Sequence, residues 1–242
     1  MINKSTLVDI VDRYSLEKQV ETVKWVVNNK NLVVDFMTPT RDCIGKVECN
    51  DFDLEDCALG IHNTSQLNKL IKITLGDLLV EVEKRNNIPA KLLISDKFFN
   101  LAYTLGDPVL FDKVGAVKEP ESYQAEIEIV DEDINNFIKA NDALQDNDNV
   151  IVNTKIDITD QKVVSFSFGD ITAHTNKVEY NMPCSYTGEI QSIPFNSKLI
   201  QTVLRANKSS ERSVMSINEG GLMRLEFHDR DIKSLYYILR KG

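Results

Sequence analysis

One order of elements occurs twice along the 242-residue chain, namely a short helix, several strands, a second short helix and further strands. Apolar residues spaced three and four positions apart predict the helices. These helices are expected at residues 6–14, at residues 62–74, from Asp131 onward and near residues 196–206. Alternating or β-branched runs, several separated by Asn- or Gly-containing turns, predict antiparallel strands between them. The pattern predicts an α+β chain with two similar domains, each with two short helices packed on antiparallel sheet.

The boundary between the two domains is expected where this pattern breaks. Residues 106–123 contain two prolines, two glycines and mixed charges, a composition typical of a linker. We therefore predict an N-terminal domain at residues 1–107, an interdomain connector at 108–123 and a C-terminal domain at 124–242. Because the two halves share no residue-level identity, a single α+β domain with incidental symmetry is the alternative.

The net charge of −9 argues against a conventional DNA-binding domain, which neutralises phosphates with a basic surface. A protein that only encircles DNA has a different requirement. A locally basic lining is enough for it, and its outside can be strongly acidic. The charge therefore argues more strongly against a conventional DNA-binding domain than against a ring-shaped protein that encircles DNA.

The four cysteines, Cys43, Cys49, Cys57 and Cys184, lack the C-x-x-C spacing of typical structural zinc sites. Buried reduced thiols are therefore favoured over a metal site. No apolar run approaches the length of a membrane helix, and the first residues lack the apolar stretch of a signal peptide. We expect a cytoplasmic protein without a metal, a cofactor or a membrane contact.

Sequence motifs of the common enzyme classes are absent. The chain contains no P-loop, no G-x-G-x-x-G and no G-x-S-x-G, and its three histidines lie in no nucleophile or metal motif. The acidic clusters at residues 51–56 and 131–133 are more typical of solvated surface or a helix N-terminus than of a metal site. We therefore expect no catalytic residues and no enzymatic activity.

Three stretches in the second half carry the most specific pattern. They are residues 195–208 (FNSKLIQTVLRANK), 219–227 (EGGLMRLEF) and 234–239 (SLYYIL). They resemble the last inner helix, the Gly-rich turn and the tyrosine-bearing final strand of DNA polymerase sliding clamps. The front half resembles tailed-phage clamps in plan, with a short N-terminal helix, a Trp-bearing hairpin and a second helix. The resemblance covers nearly the whole chain in layout, but its specific residues lie in these last stretches.

The resemblance implies a processivity factor with two similar domains per subunit. Three subunits would close a homotrimeric ring, with sheets outside and short helices facing the DNA. The implied partners are non-specifically encircled double-stranded DNA, a DNA polymerase, a clamp loader and further copies of the chain. Bacteriophage clamps of this type can also assist late transcription. If the protein is viral, it would act in the host cytoplasm. The main alternative is a monomeric α+β adaptor that binds proteins and never DNA, and a weaker one is a hydrolase with an unrecognised acidic site.

The resemblance implies that each helix presents cationic side chains to DNA, opposite the apolar stripe that it buries. The second and fourth helices fit this expectation well, whereas acidic residues offset the cations of the first and third. A solvated helix face is the alternative explanation for any one helix. The predicted DNA-facing residues are Lys4, Arg13, Lys69, Lys72, Lys139, Lys198, Arg205 and Lys208.

The resemblance implies a docking pocket for partner peptides beside the connector and the last strand. Two apolar clusters there suit such a pocket, because peptide grooves use aromatic and apolar anchors. The predicted pocket residues are Val109, Leu110 and Phe111 in the connector and Tyr236, Tyr237 and Ile238 in the last strand. Ordinary packing is an equally favoured explanation for each residue taken singly. The resemblance also implies a ring seam between edge strands, which would hide edges that otherwise promote aggregation. Residues 91–103 in one domain and 163–168 in the other are the candidates.

Overall fold

The computed structural model describes residues 1–111, 113–144, 148–169 and 176–242, which divide into two compact units. Unit 1 comprises Met1–Gly115 and Arg230–Ser234. Unit 2 comprises Ala116–Asp229 and Leu235–Gly242. Each unit holds two helices and antiparallel sheets, which confirms the predicted α+β class with two domains per chain.

Unit 1 has two helices and two four-stranded sheets. The helices are α1 (Lys4–Ser15) and α2 (Thr64–Ile73). The strands are β1 (Ile2–Asn3), β2 (Val23–Asn28), β3 (Asn31–Met37), β4 (Cys43–Cys49), β5 (Cys57–Ile61), β6 (Asp77–Arg85), β7 (Ile88–Ser95) and β8 (Asn100–Thr104). One sheet has the order β1–β6–β7–β8 and the other has the order β4–β3–β2–β5. A short 3₁₀ helix at Pro108–Leu110 follows the last strand.

The core of unit 1 is built around the indole of Trp25. Strand β2 alternates between buried and accessible positions, which places Trp25 on the inner face. Its ring meets those of Tyr14 on α1 and Phe52 edge-to-face, with centroid distances of 6.3 Å and 6.1 Å. The predicted 3–4 spacing in α1 is the reason for this arrangement, because it puts Leu7, Ile10 and Tyr14 on one buried face.

Unit 2 repeats the plan of unit 1. Its helices are α3 (Asp131–Asp142) and α4 (Ser197–Ala206). Its strands are β9 (Ala125–Glu128), β10 (Asn149–Ile156), β11 (Lys162–Phe168), β12 (Val178–Pro183), β13 (Ser185–Tyr186), β14 (Ile193–Asn196), β15 (Arg212–Ile217), β16 (Leu222–Asp229) and, from Leu235 onward, β17 (Ile232–Leu239). One sheet has the order β12–β11–β10–β14 and the other the order β13–β9–β15–β16–β17.

Helices α2 and α4 correspond closely. Each has ten residues and begins after an asparagine whose side chain caps its N-terminus. Asn63 Oδ1 accepts from the backbone N–H of Gln66 at 2.8 Å, and Asn196 Oδ1 accepts from that of Leu199 at 3.1 Å. The two helices therefore start in the same way, and positions along them can be compared one to one.

The sheet orders decide between the candidate seam strands. Residues 163–168 belong to β11, which pairs with β10 on one side and β12 on the other. This strand is therefore not an edge, and the prediction that it forms part of a seam is wrong. The edge strand beside it is β12. In unit 1, residues 91–94 lie in the interior strand β7, whereas Tyr103 lies in the edge strand β8.

Candidate nucleic-acid interface and partner groove

Helix α2 presents Lys69 and Lys72 to solvent, opposite the buried Leu67 and Ile71. The Lys72 ammonium lies 3.3 Å from both carboxylate oxygens of Asp12 on α1. Lys69 has no ion pair within the described part of the chain. Of the two cations predicted on α2, Lys72 is therefore paired, and Lys69 is not paired with any described residue.

Lys4 lies at the start of α1 and is half-buried. Its ammonium donates to the carbonyl oxygens of Lys72 at 2.8 Å and of Thr74 at 2.5 Å. These carbonyls lie at the C-terminal end of α2, where the helix dipole favours a cation. Lys4 therefore stabilises the end of α2 and retains only part of its surface for other contacts.

Arg13 is placed differently from the other predicted DNA-facing residues. It is 3% exposed, and its Nη1 donates to the hydroxyl of Ser234 at 3.2 Å. The cause is its position three residues after Ile10, which places it beside the buried stripe of α1. Arg13 therefore lies inside unit 1, and the prediction that it faces outward is corrected.

Unit 2 exposes all four of its predicted cations, Lys139, Lys198, Arg205 and Lys208. The Lys198 ammonium lies 2.5 Å from Asp148, and Arg205 Nη2 lies 3.3 Å from an oxygen of Asp142. Lys139 and Lys208 form no ion pair among residues that the structure describes.

A carboxylate lies between the two helices of each unit in a corresponding place. Asp12 accepts from Asn68 Nδ2 at 2.6 Å, and Asp142 accepts from Gln201 Nε2 at 2.7 Å. Asn68 and Gln201 are each the fifth residue after the capping asparagine of their helix, and the paired cations Lys72 and Arg205 are each the ninth. The two units therefore share one arrangement of acid, amide and cation.

Lys18 is a basic residue near the helix pair that sequence reasoning missed. It is exposed, follows α1 in a left-handed turn (φ 75°), and lines a cleft of about 130 Å³ with Lys69 and Lys72. Ser15, Thr64, Ser65 and Asn68 also line this cleft. The sequence feature that could have identified Lys18 is its position just beyond the end of an amphipathic helix.

The three predicted pocket residues in the connector differ in exposure. Val109 and Leu110 are 84% and 81% exposed in the 3₁₀ helix. Phe111 is half-buried, and its ring lies so close to Gly60 that a Cβ there would be 2.5 Å from Cε2. Phe111 therefore anchors the start of the connector to unit 1, and Val109 and Leu110 leave apolar surface free.

The last strand alternates in the same way. Tyr236 and Ile238 are fully buried, and the Tyr236 hydroxyl accepts from Asn207 Nδ2 at 2.8 Å. Tyr237 points to the opposite side and donates a hydrogen bond to Glu119. Partial burial raises the pKa of Tyr237 above its ordinary value, and the Glu119 carboxylate raises it further. Of these three residues, Tyr237 is the one whose side chain can meet a partner.

Unit 2 contains a groove beside the connector and the last strand, but none of the six predicted pocket residues lines it. It has a volume of about 350 Å³, and connector residues Val117 to Pro120 line it together with Leu222 and Leu239. Asn218, Gly220 and Gly221 of the turn before β16 also line it. Apolar side chains and exposed backbone suit such a groove to an extended peptide.

The cysteines and the other possible metal ligands do not gather into a cluster within the described part of the chain. Cys43 and Cys49 are buried, Cys57 and Cys184 are half-buried, and burial raises the pKa of the Cys57 thiol to about 11. Within the described segments, no three His, Cys, Asp or Glu side chains come together as a metal site would require. No helix in those segments is both long and apolar enough to cross a bilayer.

The fold is that of a two-domain sliding-clamp subunit, and solved structures of such proteins match it over the full chain. Proliferating Cellular Nuclear Antigen from Entamoeba histolytica has a TM-score of 0.77 and 16% identity, over 99% of this chain and 96% of its own. PCNA from A. fulgidus, solved with the C-terminal region of FEN-1 bound, has a TM-score of 0.78 and 15% identity, over 100% and 97%.

No protein-family model and no curated protein matches the sequence. At identities of 15% and 16% the similarity establishes the clamp fold. The likeness to phage clamps in particular stays a prediction.

Proposed function

We propose that this chain is a subunit of a DNA sliding clamp, which encircles duplex DNA and holds a polymerase on its template. The observation that carries the proposal is a clamp fold over the whole chain, with an exposed cationic helix pair in each of its two units. Holding by encirclement needs no active site, so we propose that the protein is not an enzyme. The resemblance to phage clamps extends the proposal to a viral replication system in the host cytoplasm and to assistance of late transcription.

Charge distribution supports this mechanism. The chain has a net charge of −9, yet Lys69, Lys139 and Lys208 are exposed on or beside the helices. A weakly positive lining within a negative shell attracts the phosphates without gripping them. Contacts made through water to the backbone alone are independent of base sequence, so the ring can move along the duplex.

Ring closure would use the two edge strands. We propose that β8 of one copy pairs with β12 of a second copy, because both are the last strands of their sheets and unpaired edges otherwise promote aggregation. Apolar side chains next to β8 support this assignment. Phe98 is 67% exposed and Leu75 is 58% exposed, and the Leu75 N–H donates to Asp96 in the turn that carries Phe98.

Partner proteins would dock on the groove of unit 2. We propose that a polymerase and a clamp loader each insert an extended segment with apolar anchors between Pro120 and Leu222. A PCNA structure of the same fold holds the C-terminal region of FEN-1. The exposed Val109 and Leu110 offer further apolar surface on the same connector.

Light scattering at micromolar concentration tests the ring. The expected mass is three times 27.5 kDa. Phe98→Glu should give the monomer, whereas Ile158→Glu, at a fully exposed hairpin tip, should leave the trimer intact. A strict monomer at every concentration, unable to stimulate the polymerase of the same genome on primed circular DNA after loading, would favour the adaptor function.

A further inference from the structure

We infer that Asp12 and Asp142 act as built-in competitors of DNA phosphate and limit the grip of the helices on the duplex. The inference rests on the proposed function. Each carboxylate lies against the cation at the ninth position of the neighbouring helix, at 3.3 Å from Lys72 in unit 1 and 3.3 Å from Arg205 in unit 2. A phosphate that approaches either cation must share it with the carboxylate.

The carboxylates are held in place by groups other than the cations. Asn68 Nδ2 donates to Asp12 at 2.6 Å, and Gln201 Nε2 donates to Asp142 at 2.7 Å. Gln201 is itself 6% exposed, and its Oε1 accepts from the buried Asn141 at 2.5 Å. This second hydrogen bond fixes the Gln201 amide, so Asp142 stays at its position when Arg205 moves.

Recurrence in both units indicates that the arrangement is more than a chance surface pair. A single exposed ion pair contributes little to stability, about 0–1 kcal/mol. Yet the fifth-position amide and the ninth-position cation recur on α2 and α4, each with an acid from the neighbouring helix. Since stability does not require the pairs, we assign them to the control of phosphate contact.

The physical consequence concerns counterions. Each phosphate that a cation neutralises releases condensed ions and steepens the salt dependence of binding, by about 0.9 in the logarithmic slope. A cation already paired with a carboxylate contributes less to this release. Lys72 and Arg205 should therefore add little to binding in the wild type, and Lys69, Lys139 and Lys208 should contribute most.

The test replaces both acids, as Asp12→Asn with Asp142→Asn. Asparagine keeps an oxygen that can accept from Asn68 or Gln201, but it removes the charge that pairs with the cation. The probe is a short fluorescein-labelled duplex, and anisotropy is measured over a series of salt concentrations. We expect binding that is about threefold tighter or more, with a salt slope steeper by up to about two per chain.

A matched control removes the same charge elsewhere. Glu81→Gln with Glu126→Gln neutralises two exposed carboxylates on strands β6 and β9. The inference is overturned if the Asp12→Asn, Asp142→Asn protein binds the duplex with the same affinity and the same salt slope as this control. In a Lys72→Ala, Arg205→Ala background the effect of the Asp→Asn changes should largely disappear, and its full persistence would also contradict the inference.

Failure of the proposed function gives a different result. The clamp proposal fails, and this inference with it, if the chain is monomeric and neither the wild type nor the Asp12→Asn, Asp142→Asn protein binds the duplex at any salt concentration. Wild-type binding with no difference between the variant and its control would overturn the inference alone.

Discussion

The hydroxyl of Tyr237 donates a hydrogen bond to the carboxylate of Glu119, and this bond ties the connector to strand β17 within unit 2. The guanidinium of Arg224 lies 3.9 Å from the same carboxylate, on the neighbouring strand β16. Glu119 also lines the partner groove, together with Val117 and Pro120. Both contacts of Glu119 therefore help to hold the connector wall of the groove.

Removing that hydroxyl should loosen the connector. We expect Tyr237→Phe to increase the rate of tryptic cleavage after the exposed Lys118 by roughly threefold to tenfold. A hydrogen bond to a charged acceptor stabilises by about 1.5–3 kcal/mol when it is fully formed, and by less on an accessible surface. Mass spectrometry of the fragments over time measures this rate.

Tyr186→Phe is the control for this change. Tyr186 lies on the short strand β13 of the same unit and is half-buried like Tyr237. Its substitution should leave cleavage after Lys118 at the wild-type rate. Equal rates in all three proteins would show that the Glu119–Tyr237 bond does not hold the connector.

The helices and alternating strands could be predicted because their cause is local. In α4 the predicted stripe of Leu199, Ile200, Val203 and Leu204 is buried throughout. The same spacing places the exposed cations Lys198 and Arg205 on the opposite side. Periodicity therefore predicts which face of a helix is accessible.

The lining residues of the groove and the contact of Arg13 with Ser234 could not be predicted, because they join residues far apart in the sequence. Arg13 contacts Ser234, which lies 221 residues away, and Glu119 contacts Tyr237, which lies 118 residues away. The pairing of Asp12 and Asp142 with cations on another helix has the same character.

Asn207 should be needed for stability, since it is fully buried just after α4. Its Nδ2 donates to the carbonyl oxygen of Val203 at 2.8 Å and to the hydroxyl of Tyr236 at 2.8 Å. Asn207→Ala should lower the free energy of unfolding by about 1–3 kcal/mol, because it deprives buried polar groups of a partner. Urea denaturation measures the change.

The adjacent exposed residue is the control for this prediction. Lys208→Ala should change the free energy of unfolding by less than about 0.5 kcal/mol, because its side chain is accessible. Equal stability of Asn207→Ala and Lys208→Ala would mean that the Asn207 contacts contribute nothing to the fold.

Gly60 should tolerate no side chain, because the anchor of the connector packs against it. A Cβ at this position would lie 2.5 Å from the Gly106 carbonyl oxygen and 2.5 Å from the Phe111 ring. Gly60→Ala should therefore cost about 1–3 kcal/mol of stability through overpacking. Gly115→Ala, with nothing within 4 Å of its Cβ, should be close to neutral. Thermal unfolding of the two variants side by side measures the difference, and equal transition temperatures would contradict this packing.

Alkaline pH should destabilise the fold through the buried thiol of Cys43. Burial raises the pKa of this thiol, and the neighbouring Asp42 carboxylate raises it further. In the unfolded chain the thiol deprotonates near its ordinary pKa of about 8.5. Above that pH the unfolded state binds fewer protons than the folded state, so stability falls as pH rises.

The Cys43 effect should be resolved between about pH 8.5 and pH 9.5, where the tyrosines of the unfolded chain, among them Tyr14, are still mostly protonated. Within that window we expect one fully buried thiol to contribute a loss approaching about 1.4 kcal/mol per pH unit. Cys43→Ala leaves a small cavity that lowers stability at every pH, so the comparison uses slopes and not absolute values. Urea denaturation at a series of pH values should give a flatter slope for Cys43→Ala than for the wild type. Parallel slopes would mean that the thiol of Cys43 is not the group that couples folding to pH.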